Sequence, residues 1–187
     1  MSNSAKCLVD IIALIIIYVI FFFKKWKAKG KDKLIVNTLF YIYMALVLYV
    51  TLMPIIVSLP FIFNHPYTPM NLLPFNDYFS GRGDTMRQIL LNVIIMMPFG
   101  FLIPIVKKQK LFSCILWTFL FSLSIELFQP LINGSRSSDV TDLITNTVGG
   151  MIGYFLYLIF RPLVSTILNY LKSTNKHKLD SASKLSK

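Results

Sequence analysis

The chain has 187 residues, of which 55% are hydrophobic and only 14% charged, with a formal net charge of +11. So few charges on so oily a chain exclude a soluble domain of this size, and the basic excess then reports membrane sidedness rather than nucleic-acid binding. Cys7 and Cys114 have no CxxC or Cys/His neighbourhood, which excludes a disulfide framework or a metal site built on them.

Five apolar runs read as membrane helices: Leu8–Phe23, Leu34–Leu59, Gln88–Val106, Leu111–Gln129 and Val140–Phe160. The first is a little short and is expected to start earlier. It is not a secretory signal, because its heavy charge follows the apolar run and no small-residue cleavage site comes after it. Residues 1–33 form a leading anchor and a lysine-rich loop in which Trp26 suits the headgroup layer. The second run contains Pro54, which kinks or ends its helix. The segment from Pro60 to Met86 is rich in prolines and rings. Phe61, Phe63, Tyr67, Phe75, Tyr78 and Phe79 are expected to bury in the interface or in the mouth of the bundle. His65 has no second ligand at metal spacing and reads as a surface or packed histidine.

In the third run Gln88, Asn92, Met96 and Gly100 follow at steps of four, so they share a face, and Pro98 with Gly100 invites a kink. Lys107–Lys110 makes a tight turn into the fourth run, which carries Ser122, Glu126 and Gln129 on one face. A charged group at the centre of a membrane helix costs about 2.5–3.5 kcal/mol, so Glu126 is expected to face a cavity or pair with a cation. Arg87 and Arg136 are the cations expected on its side. After the link LINGSRSS, the fifth run places Asp139, Asp142, Asn146, Gly149 and Gly153 within roughly a third of a helical turn. Asp139 as N-cap with Asp142 at N3 is a purely structural reading of the two acids. Gly149 and Gly153 form GxxxG, which suits close helix packing and offers a face for a homo-oligomer. Residues 163–187 read as a basic tail, an interfacial helix followed by a disordered end.

The lysines sort by side. Lys24–Lys33, Lys107–Lys110 and the tail lie together, whereas the opposite side holds only Lys6, Arg82, Arg87 and Arg136. The positive-inside rule gives an all-α polytopic bundle of about five spans, N-terminus out and C-terminus in.

NLLPF at Asn71–Phe75, NVIIMMPFGFLIP at Asn92–Pro104, and SIELFQ with RSSDVTDLITNTVGGMIGY between Ser124 and Tyr154 resemble the VanZ-like family. The resemblance covers about residues 40–160, within a membrane domain read as 34–162. Family members often carry successive acids where this chain has Thr141, so the resemblance leaves Asp139 and Asp142 as the matching acids and makes Thr141 dispensable. It implies a multi-pass protein of the bacterial plasma membrane and cell envelope. Some members are associated with low-level resistance to teicoplanin and related lipid-bearing glycopeptides.

Two functions are open. In one, Asn71, Arg87, Asn92, Glu126, Gln129, Arg136, Asp139, Asp142 and Asn146 converge on an outward-facing pocket. That pocket would bind or modify an envelope lipid-linked or amphiphilic substrate, with Arg136 clamping a phosphate and Gly100, Gly149 and Gly153 packing the helices. In the other, Glu126 with Asp139 or Asp142 forms the acid/base pair of an intramembrane enzyme, or the three hold a divalent ion. A small transporter is a third reading. Membrane lipids are expected partners and nucleic acid is not; no cofactor is expected.

Overall fold

The computed structural model describes residues 3–62, 64, 66–132 and 137–185, with side chains described as far as 173. His65, Phe63 and Arg136 lie outside the described residues. Among those described there is no strand, and the elements are α1 (Asn3–Ile17), a π-helical stretch (Tyr18–Phe23), α2 (Lys24–Ala28), α3 (Lys31–Thr51), a 3₁₀ turn (Leu59–Phe61), α4 (Asn76–Phe79), α5 (Thr85–Val106), α6 (Leu111–Ile132) and α7 (Val140–Leu185). Five helical spans are long and apolar enough to cross a membrane: Ser4–Ala28, Lys31–Thr51, Thr85–Val106, Leu111–Ile132 and Val140–Ser173. The protein is an all-α polytopic helix bundle.

Helices dominate because a backbone in lipid must satisfy its own polar groups. Gly30, at φ 111°, turns the chain between α2 and α3 in a conformation closed to other residues. α3 stops at Thr51, eight residues short of the Leu59 expected from the apolar pattern. Leu52 and Met53 both direct their N–H groups to the Leu48 carbonyl (2.9 and 3.0 Å), and Pro54 has no N–H with which to continue the ladder. Pro98, Pro104, Pro130 and Pro162, by contrast, all lie inside continuous helices. The tail therefore differs from its expected form: α7 runs through Pro162 to Leu185. A proline removes one helical hydrogen bond, and the apolar run Leu163–Leu171 keeps the helix going beyond it.

The interior is made by α5, α6 and α7, with α3 against α5. Helices approach this closely because glycines face backbone. A methyl group on Gly149 or Gly153 would run into the carbonyl of Val93 or Met97 on α5, and one on Gly100 into the Gly150 carbonyl on α7. The GxxxG face offered for a second copy is thus covered by α5 of the same chain. Met96, Phe99, Cys114 and Ile125 fill the buried centre with Tyr43 and Val47 of α3, and the Tyr43 hydroxyl donates to the Ile95 carbonyl at 2.8 Å.

α1 lies outside this core. It is held by Tyr18 Oη to Thr38 Oγ1 (2.8 Å), by Tyr41 Oη donating to the Leu14 carbonyl (2.8 Å), and by rings of Tyr18, Phe22, Trp26 and Tyr41 in contact. Its far end is fixed by Asp10, an acid that stands within the first span. The turns at 29–30 and 107–110 define a lysine end of the bundle; the 53–84 segment and the 137–139 link define the other, here the link end.

Candidate functional site

At the link end two irregular segments are strapped together. The Asn71 N–H donates to the Ser138 carbonyl (2.9 Å), and the Val140 N–H donates to the Asn71 carbonyl (3.0 Å), an isolated parallel bridge. The Asn71 side chain adds two bonds: Nδ2 donates to Asp139 Oδ2 (3.1 Å), and Oδ1 accepts the Leu73 N–H (3.1 Å). Thr141, 5% exposed, accepts the Phe75 N–H at its hydroxyl (2.9 Å). That bond holds Phe75 in the left-handed region, φ 57°, where α4 begins. Thr141 is the piece of the site that reading by resemblance set aside.

The start of α7 is capped from two helices. Asp139 Oδ1 accepts the Thr141 N–H (2.7 Å), an N-cap bond to N2. In a capping box the acid at N3, here Asp142, would turn back to the N–H of the cap residue. Instead Glu126 reaches across from α6, and its Oε2 accepts the Asp139 N–H at 3.1 Å. Ser138 donates its hydroxyl to the Glu126 carbonyl, tightening the same junction. Asp142 is thereby released to accept Asn92 Nδ2 of α5 at 2.7 Å. Glu126 is 2% exposed. Its burial is tolerable because the carboxylate receives charge-assisted hydrogen bonding where helix α7 presents its positive end.

One turn deeper, Asn146 Nδ2 donates to Ser122 Oγ at 2.9 Å, and both residues are buried. Among the described residues the buried Asn146 Oδ1 has no hydrogen-bond partner. Thr118 continues the polar file on α6, its hydroxyl bonded to the Cys114 carbonyl (2.9 Å). Glu126, Asp139, Asp142, Asn146, Asn92 and Asn71 thus meet in one seam where α5, α6 and α7 converge. Gln129 stands at its edge and donates weakly to the Thr51 carbonyl of α3 (3.4 Å).

One expected site residue stands elsewhere. Arg87 is on the surface, its side chain 75% exposed and 3.9 Å from Asp84, because it sits in the first turn of α5 before that helix reaches the seam. The rings of Phe61, Tyr67, Tyr78 and Phe79 are exposed rather than sealed in the mouth of the bundle, with Phe79 81% exposed, which leaves the interface of the two places expected for them. A ring at membrane-interface depth needs only the headgroup layer to cover it. Among the described residues no three of His, Cys, Asp and Glu come together as a metal-holding group.

Sequence reasoning missed Asp10. It is 3% exposed, and its two oxygens accept the N–H groups of Ile55 (2.6 Å) and Ile56 (2.8 Å), just past the end of α3. The signal was an acid set inside an apolar run, between Leu8 and Leu14 and beyond any cap position.

An apolar cavity of about 340 Å³ lies on the other flank of α6 at this end, bounded by Leu52 and Ile55, by Leu59 of the 3₁₀ turn, and by Ile125, Phe128 and Ile132.

Five helices long and apolar enough to span a membrane, with a buried hydrogen-bonded seam of acids and amides at one end, define a multi-pass membrane protein. Residues 40–161 match the family described as VanZ/LLP1. Over 126 residues the chain is 32% identical to Protein VanZ of Enterococcus faecium, an alignment covering 67% of this chain and 74% of that protein. No solved structure matches. The chain belongs to the VanZ/LLP1 family, whose matched region takes in all of the seam and leaves α1 and Asp10 outside it.

Proposed function

We propose that the seam is an outward-facing site in the bacterial plasma membrane for the polar head of an envelope lipid-linked or amphiphilic molecule. The adjoining cavity accepts the apolar part of that molecule. By likeness to VanZ, the consequence is low-level protection against lipid-bearing glycopeptides such as teicoplanin. The observation that carries this reading is the buried Asn146 carbonyl oxygen one turn below Glu126, an acceptor without a donor among the described residues. A buried acceptor left unmade costs about 1–3 kcal/mol, and sites that keep such a cost commonly spend it on a ligand. A sugar or peptide head supplies hydroxyl and amide donors of the required kind. The cavity supports the second half of the reading, because it is apolar and borders Ile125 and Phe128 of α6, the residues on either side of the Glu126–Leu127 turn.

Binding is favoured over acid/base chemistry by the use of Asp139. Both of its oxygens accept structural donors, from Thr141 and Asn71, so it serves as a cap rather than as the second acid of a pair.

Two variants test the site. Glu126→Gln keeps an oxygen for the Asp139 N–H but removes the charge, and Asn146→Leu keeps the branching at Cγ but removes the whole amide, the acceptor and the donor to Ser122. Both are expected to accumulate in the membrane and to lose the teicoplanin protection that the parent chain gives a susceptible host. Lys172→Gln, far along α7, is expected to retain it. Full protection by both seam variants at matched membrane levels would return the seam to a purely structural role.

A further inference from the structure

A second cavity, of about 450 Å³, opens at the lysine end between α3, α5 and α6. Its walls are apolar: Phe40 and Met44 from α3, Phe99 from α5 and Trp117 from α6. Phe99 stacks on Phe121 at 5.1 Å between centroids and 11° between planes, which makes a flat floor. The charged and amide groups are gathered at one end, where Lys107 and the half-buried Gln109 of the α5–α6 turn line the mouth; the deep end reaches Phe121 and Ser124, which also border the first cavity, and the Ser124 hydroxyl is bonded to the Leu120 carbonyl. Lys108 and Lys110 flank them, all three lysines are exposed, and no acid lies in the turn or in the first turn of α6.

We propose that this groove is a binding site for an acidic lipid of the leaflet at the lysine end, one acyl chain lying along Phe40, Met44 and Trp117 and its phosphate held by Lys107 and Gln109. Charge selects the occupant. At membrane depth the apolar groove is filled by hydrocarbon, and the cluster of lysines at its mouth prefers a negatively charged head to a zwitterionic one. A second copy of the chain is disfavoured, since copies inserted in the same sense would bring their own 107–110 turns to the same level and set lysine against lysine. The volume falls within the roughly 300–1,000 Å³ of ligand sites. The site lies at the opposite end from the polar seam and does not depend on the function proposed for it.

Trp117 lines the groove and reports on it. The sequence has two tryptophans, so Trp26→Phe leaves Trp117 as the sole fluorophore of the full chain. The protein is reconstituted in phosphatidylcholine vesicles containing increasing fractions of phosphatidylglycerol with brominated chains, and in parallel of phosphatidylcholine with the same brominated chains. Trp117 quenching is expected to reach half its maximum at a several-fold lower fraction of the acidic lipid. Lys107→Gln, at an exposed position, is expected to shrink that preference about fivefold, which is what one lysine contributes near a membrane surface. Lys172→Gln is expected to leave it unchanged. Equal half-quenching by the two lipids, no quenching by either, or the same loss in both lysine variants would each overturn the site.

Discussion

Asp10 shows how much one carboxylate can hold. It accepts two backbone donors of the turn that follows α3, and it does so from a first span whose rings, further along, make contacts with α3. Asp10→Ala strands both N–H groups and is expected to cost about 1–3 kcal/mol. Asp10→Asn keeps one acceptor oxygen and should fall between the two. Thermal unfolding of the purified chain in detergent reads the order; equal midpoints for parent and Asp10→Ala would show that water satisfies Ile55 and Ile56 instead. The residues legible in the sequence were those whose polarity contradicts their surroundings: Glu126 within an apolar run, and Asn92 and Asn146 at helical spacing from other polar groups. Arg87 was misplaced because a cation at a helix start looks the same whether it points in or out. Thr141 and Ser122 were under-read because a hydroxyl in a membrane helix can always bond to its own backbone, so its presence signals nothing by itself.

At the level of the helix, the glycines of α7 reverse a usual rule. Alanine in place of a helical glycine ordinarily gains about 0.5–1 kcal/mol. Gly153→Ala is expected instead to lose about 1–3 kcal/mol, because its methyl meets the Met97 carbonyl and backbone cannot step aside. Gly150 differs, since its neighbour is the side chain of Thr118. Gly150→Ala should therefore be repaired by Thr118→Ala, with a coupling of about 0.5–3 kcal/mol in a double-mutant cycle, while Gly153→Ala should not be. Additive effects at 150 and 118 would mean that α6 and α7 separate more readily than their packing implies. The spacing of these glycines was plain in the sequence. Their partner was not, because GxxxG names a surface for close approach without naming the helix that approaches.

For the whole molecule, the spans, their number and their order follow from apolar length, and the two ends are told apart by what joins them. The 107–110 turn is all lysine and glutamine, whereas the link end is strapped and capped. By the positive-inside rule the link end is expected to face outward. Cysteine at Ser137 is expected to react with an impermeant maleimide in intact cells, and cysteine at Ser173 only after the membrane is opened. Cys7→Ser serves as background, since Cys114 is buried. Labelling of both from one side would remove the five-span topology.

The strap at Asn71 also has a history within each molecule's lifetime. Asn71 and Asp139 are 68 residues apart, so at a synthesis rate of about 5–20 residues per second roughly 3–14 s separate their emergence from the ribosome. During that interval α5 and α6 are already made, yet Asn92 awaits Asp142 and Glu126 awaits the Asp139 N–H. The nascent chain thus carries an acid into the bilayer ahead of the helix end that solvates it.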